Sequence, residues 1–83
     1  MSDPLNMILM LNNTTPRPVD WTITPRDAAP IAGTQGPNSW SMVSVQFAAH
    51  YDICFEGVCN QTNNPNSCAT YDGGRVHITE PGA

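Results

Sequence analysis

The chain has 83 residues, a net charge of −4 and only 12% charged side chains against 40% hydrophobic ones. That length makes one domain, 1–83, with a small core that buries only about 60–65% of the unfolded surface, so help from disulfides, a metal or a partner subunit is common at this size. There is no lysine, and Arg17, Arg26 and Arg75 are the only fixed cations. A phosphate-tracking basic stripe is therefore missing, and no nucleic-acid or anionic-membrane partner is expected.

No apolar run approaches the roughly 20 residues of a membrane-spanning helix. Met7 to Leu11 is too short for a secretory core, and Asp3 precedes it where a signal peptide carries positive charge. The expectation is an intracellular or virion-associated product, or one exported without a cleaved signal.

Met1 to Leu5 reads as a short arm, with Pro4 opposing a helix. Asn6 to Asn12 encloses the unbroken apolar run Met7-Ile8-Leu9-Met10-Leu11. This fits a strand buried on both faces or one lying at a subunit interface. Asn12 to Pro18 is a turn rich in breakers. Val19 to Thr24 alternates, with Val19, Trp21 and Ile23 on one face and Asp20, Thr22 and Thr24 on the other. Asp27 to Asn38 contains Pro30, Gly33, Gly36 and Pro37 and is predicted to be a long loop, either a binding loop or interface arm or one packed over an end of the sheet.

The strongest signal is Val43 to Phe55. Val43, Val45, Phe47, Ala49, Tyr51, Ile53 and Phe55 are apolar or aromatic, and most residues between them are polar. Such alternation is what a half-buried strand needs. Thirteen residues extend roughly 43 Å at about 3.3 Å each, well beyond a common strand. The stretch must bend through a bulge near Ala48-Ala49, or run on to pair with a neighbour; in either case it serves both sheets of a sandwich or barrel. Glu56-Gly57 makes a tight turn, Cys59 to Cys68 encloses a polar loop, and Asp72-Gly73-Gly74 joins a last hairpin in which Val76 and Ile78 point inward. Glu80 to Ala83 is a tail. The sum is an all-β, small antiparallel sandwich or barrel of five to six strands with long loops.

Three groups of residues invite chemistry. His50, Asp52, Cys54 and Glu56 share one face of the predicted strand and could seed a metal site or a thiol–imidazole pair; the solvated face of an amphipathic strand is the preferred reading. Cys54 and Cys59 could bridge a hairpin, Cys59 and Cys68 could clip the loop between them, or all three could be reduced, buried thiols. His50, Cys59, Cys68 and His77 form a zinc-compatible set whose spacing matches no standard site. Asn12, Asn13 and Asn60 begin glycosylation patterns but read more simply as turn residues. Trp21 and Trp40 could stack a sugar, though burial as core anchors is the preferred reading.

No catalytic, cofactor-binding or metal-binding residue is therefore assigned. The functional expectation is a non-enzymatic structural or interaction protein, a homo-oligomer with protein partners, of which a viral capsid decoration (cement) protein is one form. The alternatives are a small inhibitor or binding module acting on a protein target, and a small metal- or thiol-dependent protein using His50, Asp52 and Cys54.

Overall fold

A computed structural model describes residues 6–64 and 66–80. The arm expected at 1–5 and most of the tail expected at 80–83 lie outside them. The described residues form eight strands and no helix: β1 (Asn6–Asn13), β2 (Val19–Pro25), β3 (Ile31–Gln35), β4 (Ser39–Gln46), β5 (Tyr51–Phe55), β6 (Val58–Thr62), β7 (Cys68–Tyr71) and β8 (Val76–Thr79). They build two four-stranded sheets, ordered β4-β1-β7-β8 and β3-β2-β5-β6. All neighbours are antiparallel except β1 and β7, which run parallel.

The all-β expectation holds, with eight strands in place of five or six. One reason lies in the segment 27–38, which is not a loop throughout. Ile31–Gln35 pairs with Val19–Ile23 in unbroken register, Trp21 standing opposite Gly33. Gly33 resembles a breaker but serves packing: a Cβ there would meet Cζ2 of Trp21 at 2.5 Å, so only glycine leaves room for the indole.

The second reason is that Val43 to Phe55 is not one ribbon. β4 ends at Gln46 in one sheet and β5 begins at Tyr51 in the other. Val45, Tyr51, Ile53 and Phe55 are buried as the alternation predicts. Phe47 and Ala49 are exposed instead, and Ala48 takes the inward place between them. The bend falls where it was expected, but as a corner between sheets, not a bulge within one. Chain that leaves a ladder must find new partners for its buried main-chain groups. Tyr51 supplies them: its fully buried hydroxyl donates to the Gln46 carbonyl at 2.8 Å and accepts from the Ala48 N–H at 3.0 Å. This is the geometry of a tyrosine corner.

The core lies between the two inner faces, with Leu9 and Leu11 of β1 facing Val19, Ile23, Ile53 and Phe55 of the second sheet. The rings of Phe55 and Tyr71 stack across the sandwich with centroids 5.3 Å apart. One polar group is embedded at the end of β1. The Asn13 side chain is fully buried; its amide donates to the carbonyls of Arg17 (2.8 Å) and Gly36 (2.9 Å), and its oxygen accepts from Thr15 N (2.9 Å) and Thr15 Oγ1 (2.6 Å). It thereby ties β1, the β1–β2 turn and the β3–β4 turn together. At the opposite side of the sandwich, Asn60 Nδ2 of β6 donates to the Val76 carbonyl of β8 at 2.9 Å.

The turns fall as expected, but the segment expected to be a polar loop from Cys59 to Cys68 is strand as far as Thr62, because Val58–Thr62 pairs with β5 as the second arm of the hairpin. Glu56 and Gly57 both have positive φ, 51° and 83°, as a two-residue type I′ turn requires, and Val76 is buried with Ile78 packed against the core.

Tyr51→Phe keeps the ring but removes both corner hydrogen bonds and strands the buried Ala48 N–H. The expected cost is about 1–3 kcal/mol, measured as a lower urea midpoint with an unchanged denaturant slope.

Candidate functional site

The residues that suggested chemistry are each engaged separately. His50 lies in the corner before β5, not on a strand. On β5, Asp52 accepts from Gln61 Nε2 at 3.0 Å, and Cys54 is bonded to Cys59. Glu56, in the turn that follows, takes Arg17 Nη1 on both carboxylate oxygens, with 2.6 Å to Oε2. That ion pair holds the Arg17 guanidinium above its ordinary pKa, first through the hydrogen bond and then through the charge of Glu56. His77 and Cys68 belong to the other sheet, and among the described residues no three of His, Cys, Asp or Glu gather as a metal site would need.

The cysteines resolve to a Cys54–Cys59 bridge and a free Cys68, not to three reduced thiols. The hairpin register explains the choice. Phe55 pairs with Val58 around the two-residue turn, so Cys54 falls directly opposite Cys59, with Cα atoms 4.0 Å apart. Four residues between two cysteines, with Glu-Gly at the centre, carried that signal in the sequence.

The glycosylation patterns also change meaning. Asn13 is sealed in the core by its own hydrogen bonds, and the Asn60 amide is bonded to β8. Trp21 and Trp40 do not form a joint platform. Trp21 packs against the core of the second sheet beside Gly33, whereas Trp40 on β4 of the first sheet is 60% exposed and is not a core anchor.

The candidate site is the outer face of the first sheet. β1 is covered on one side only: Leu9 and Leu11 face the core, while Ile8 on the other side is 42% exposed, so the run is not buried on both faces within this chain. Opposite them on β4, Trp40 stands across from Asn12, Met42 from Met10, and Ser44 from Ile8. Trp40 and Met42 are each 60% exposed. The four strands of this sheet contain no Asp, Glu, Lys or Arg. The second sheet differs: its outer face carries Asp20, which accepts from Thr34 Oγ1 at 2.9 Å, together with Asp52 and the disulfide, and the Glu56–Arg17 pair lies at its turn.

The exposure of Trp40 and Met42 was within reach of sequence reasoning. Both share the phase of Ser44 and Gln46, the polar side of the alternation, once that alternation is carried back to Ser39. Two grooves complete the surface. One, of about 310 Å³, lies beside the disulfide and is lined by Thr22, Cys54, Gly57 and Cys59; the other, of about 290 Å³, lies between Pro25, Ala28 and Ile31 on one side and Ser44 and Val45 on the other.

At the far end of the first sheet, Asp72 closes the β7–β8 turn. Its Oδ2 lies 2.8 Å from His77 Nε2, and its Oδ1 accepts from Gly74 N at 2.9 Å and Arg75 N at 2.8 Å. His77 foremost, then these two N–H groups, hold the carboxyl well below the usual carboxylate range. A depressed carboxylate stabilises the fold above its unfolded pKa of about 3.9, and that contribution disappears as pH falls toward the folded value.

Two outcomes are expected. Reducing the Cys54–Cys59 bridge, or replacing both cysteines by serine, lowers stability by about 2 kcal/mol, the loop-closure value for so short a loop, and leaves the far-ultraviolet circular dichroism of a β-protein intact. Asp72→Asn loses less of its urea resistance than the parent between pH 5 and pH 2.5, because the acid-sensitive carboxylate is gone.

Comparison with protein-family models, with curated proteins and with solved structures finds no match to this chain.

Proposed function

We propose that this chain is a non-enzymatic structural or interaction protein that docks onto protein through the outer face of its first sheet and works as part of an oligomer. The observation that carries this reading is the pairing of Trp40 and Met42, each 60% exposed, on a sheet face without a fixed charge. Contiguous apolar surface of this kind on a small soluble domain marks a contact site. Large, rigid aromatic side chains give contact area at low entropic cost. A small, charge-poor β-domain of this form suits decoration of a larger protein shell, such as a viral capsid.

The test is sedimentation of a lysate from the cells that make the protein. The parent chain is expected in the fraction of large protein particles, and a Trp40→Ser/Met42→Ser variant with unchanged circular dichroism is expected to be released from it. Parent and variant both remaining in the low-mass fraction would sink the reading.

A further inference from the structure

The strand that carries Trp40 and Met42 is also the edge of its sheet, and its neighbour shows which way its main chain points. Met10 N donates to Ser67 O at 2.9 Å and Ile8 N to Asn66 Oδ1 at 3.3 Å, both away from β4. In an antiparallel pair, a residue whose groups point away from its partner strand stands opposite one that points away too. Met10 is opposite Met42, Ile8 opposite Ser44 and Asn12 opposite Trp40. The N–H and C=O groups of Trp40, Met42 and Ser44 are therefore directed out of the sheet, on the side where β4 pairs with no other strand among the described residues. Gln46 has the same phase, but its carbonyl is occupied by the Tyr51 hydroxyl.

Edges of this kind are normally guarded by charge, proline, a bulge or shortness. Ser39–Gln46 has none of these guards: it is eight residues long, uncharged, free of proline, and paired with β1 in unbroken register. A groove of about 290 Å³ separates Ser44 and Val45, at the Gln46 end of the edge, from Pro25, Ala28 and Ile31.

We infer that β4 is a dimerisation edge and that its occupant is β4 of a second copy, running antiparallel about a two-fold axis at Met42. This rests on the oligomer part of the proposed function and places that self-contact at the edge beside the exposed face. The three residues with free main-chain groups are symmetric about Met42, so Met42 meets Met42 of the second copy and Trp40 meets Ser44, each pair exchanging two main-chain bonds. A two-fold contact must be self-complementary, and this one is. Each copy carries a net charge of −4, yet β4 bears none of it, and Asp20 and Asp52 sit on the outer face of the opposite sheet. Like charge does not oppose the approach, and a charged foreign peptide would find nothing to pair with.

The available area sets the strength. Trp40 and Met42, each 60% exposed, stand on the edge strand itself and offer on the order of 250 Å² of side-chain surface, of which the flanks turned toward the second copy are covered. An edge about 27 Å long and about 10 Å deep adds a similar amount. That is well below the roughly 800 Å² per partner of a standard stable interface, so the dimer is weak and reversible.

Sedimentation velocity of the full chain from about 1 to 500 µM is expected to shift from monomer to dimer. Above the midpoint, amide hydrogen exchange slows at Trp40, Met42 and Ser44; below it, these amides exchange freely. Met42→Lys sets like charges against each other at the axis and weakens association at least about tenfold with an unchanged circular dichroism spectrum. A monomer throughout the range overturns the inference, as does a dimer whose three edge amides stay fast. A monomer that still sediments with large particles removes the second copy as occupant while leaving the docking reading in place.

Discussion

The hydroxyl of Tyr51 holds the two sheets to one chain path. Between Gln46 and Tyr51 the backbone leaves one ladder and enters another, and the cost of such a crossing is a set of main-chain groups without partners in a dry interior. One side chain answers it by donating to Gln46 and accepting from Ala48. With that corner set, Val45 and Ile53 reach the same core from opposite sheets. Asn13 performs the corresponding task where β1 ends, holding two turns of the chain by bonds from a side chain that has no contact with solvent. The aliphatic core supplies most of the driving force, and these two polar anchors select which crossing of the chain is used.

The sandwich divides its surface by chemistry. Carboxylates and the cross-strand bridge decorate one outer face, and uncharged, partly apolar residues cover the other. With so few charges available, their segregation leaves the first sheet without the long cationic side chains that commonly shield exposed edges. That asymmetry leaves one outer face charged and the other uncharged and partly apolar.

Much of the architecture could be read from residue order, because alternation and turn chemistry are local. Val45, Tyr51, Ile53 and Phe55 were identifiable as inward by period, and Glu-Gly placed the hairpin that sets Cys54 against Cys59. What could not be read depends on partners far along the chain. Gly33 looks like a breaker until Trp21 is seen lying over it. Met7 to Leu11 looks buried on both sides until β4 and β7 are found flanking it and Ile8 is found 42% exposed. Trp40 looks like a core anchor because size and aromaticity say nothing of which way a strand faces. Composition assigns Trp40 and Met42 to the interior; only the alternation carried back to Ser39 turns them outward.

The parallel pairing of β1 with β7 has a kinetic consequence. β1 is an interior strand of its sheet, yet one of its neighbours is β4 and the other lies nearly 60 residues further on, at Cys68–Tyr71. Closing such distant pairs demands loop entropy before any reward, which places this topology among slow folders, on the millisecond-to-second scale. During synthesis the greasy segment Met7 to Leu11 must wait, half-partnered, until most of the polypeptide has emerged. Apolar chain left without its partner in that interval is the part of the molecule most open to aggregation.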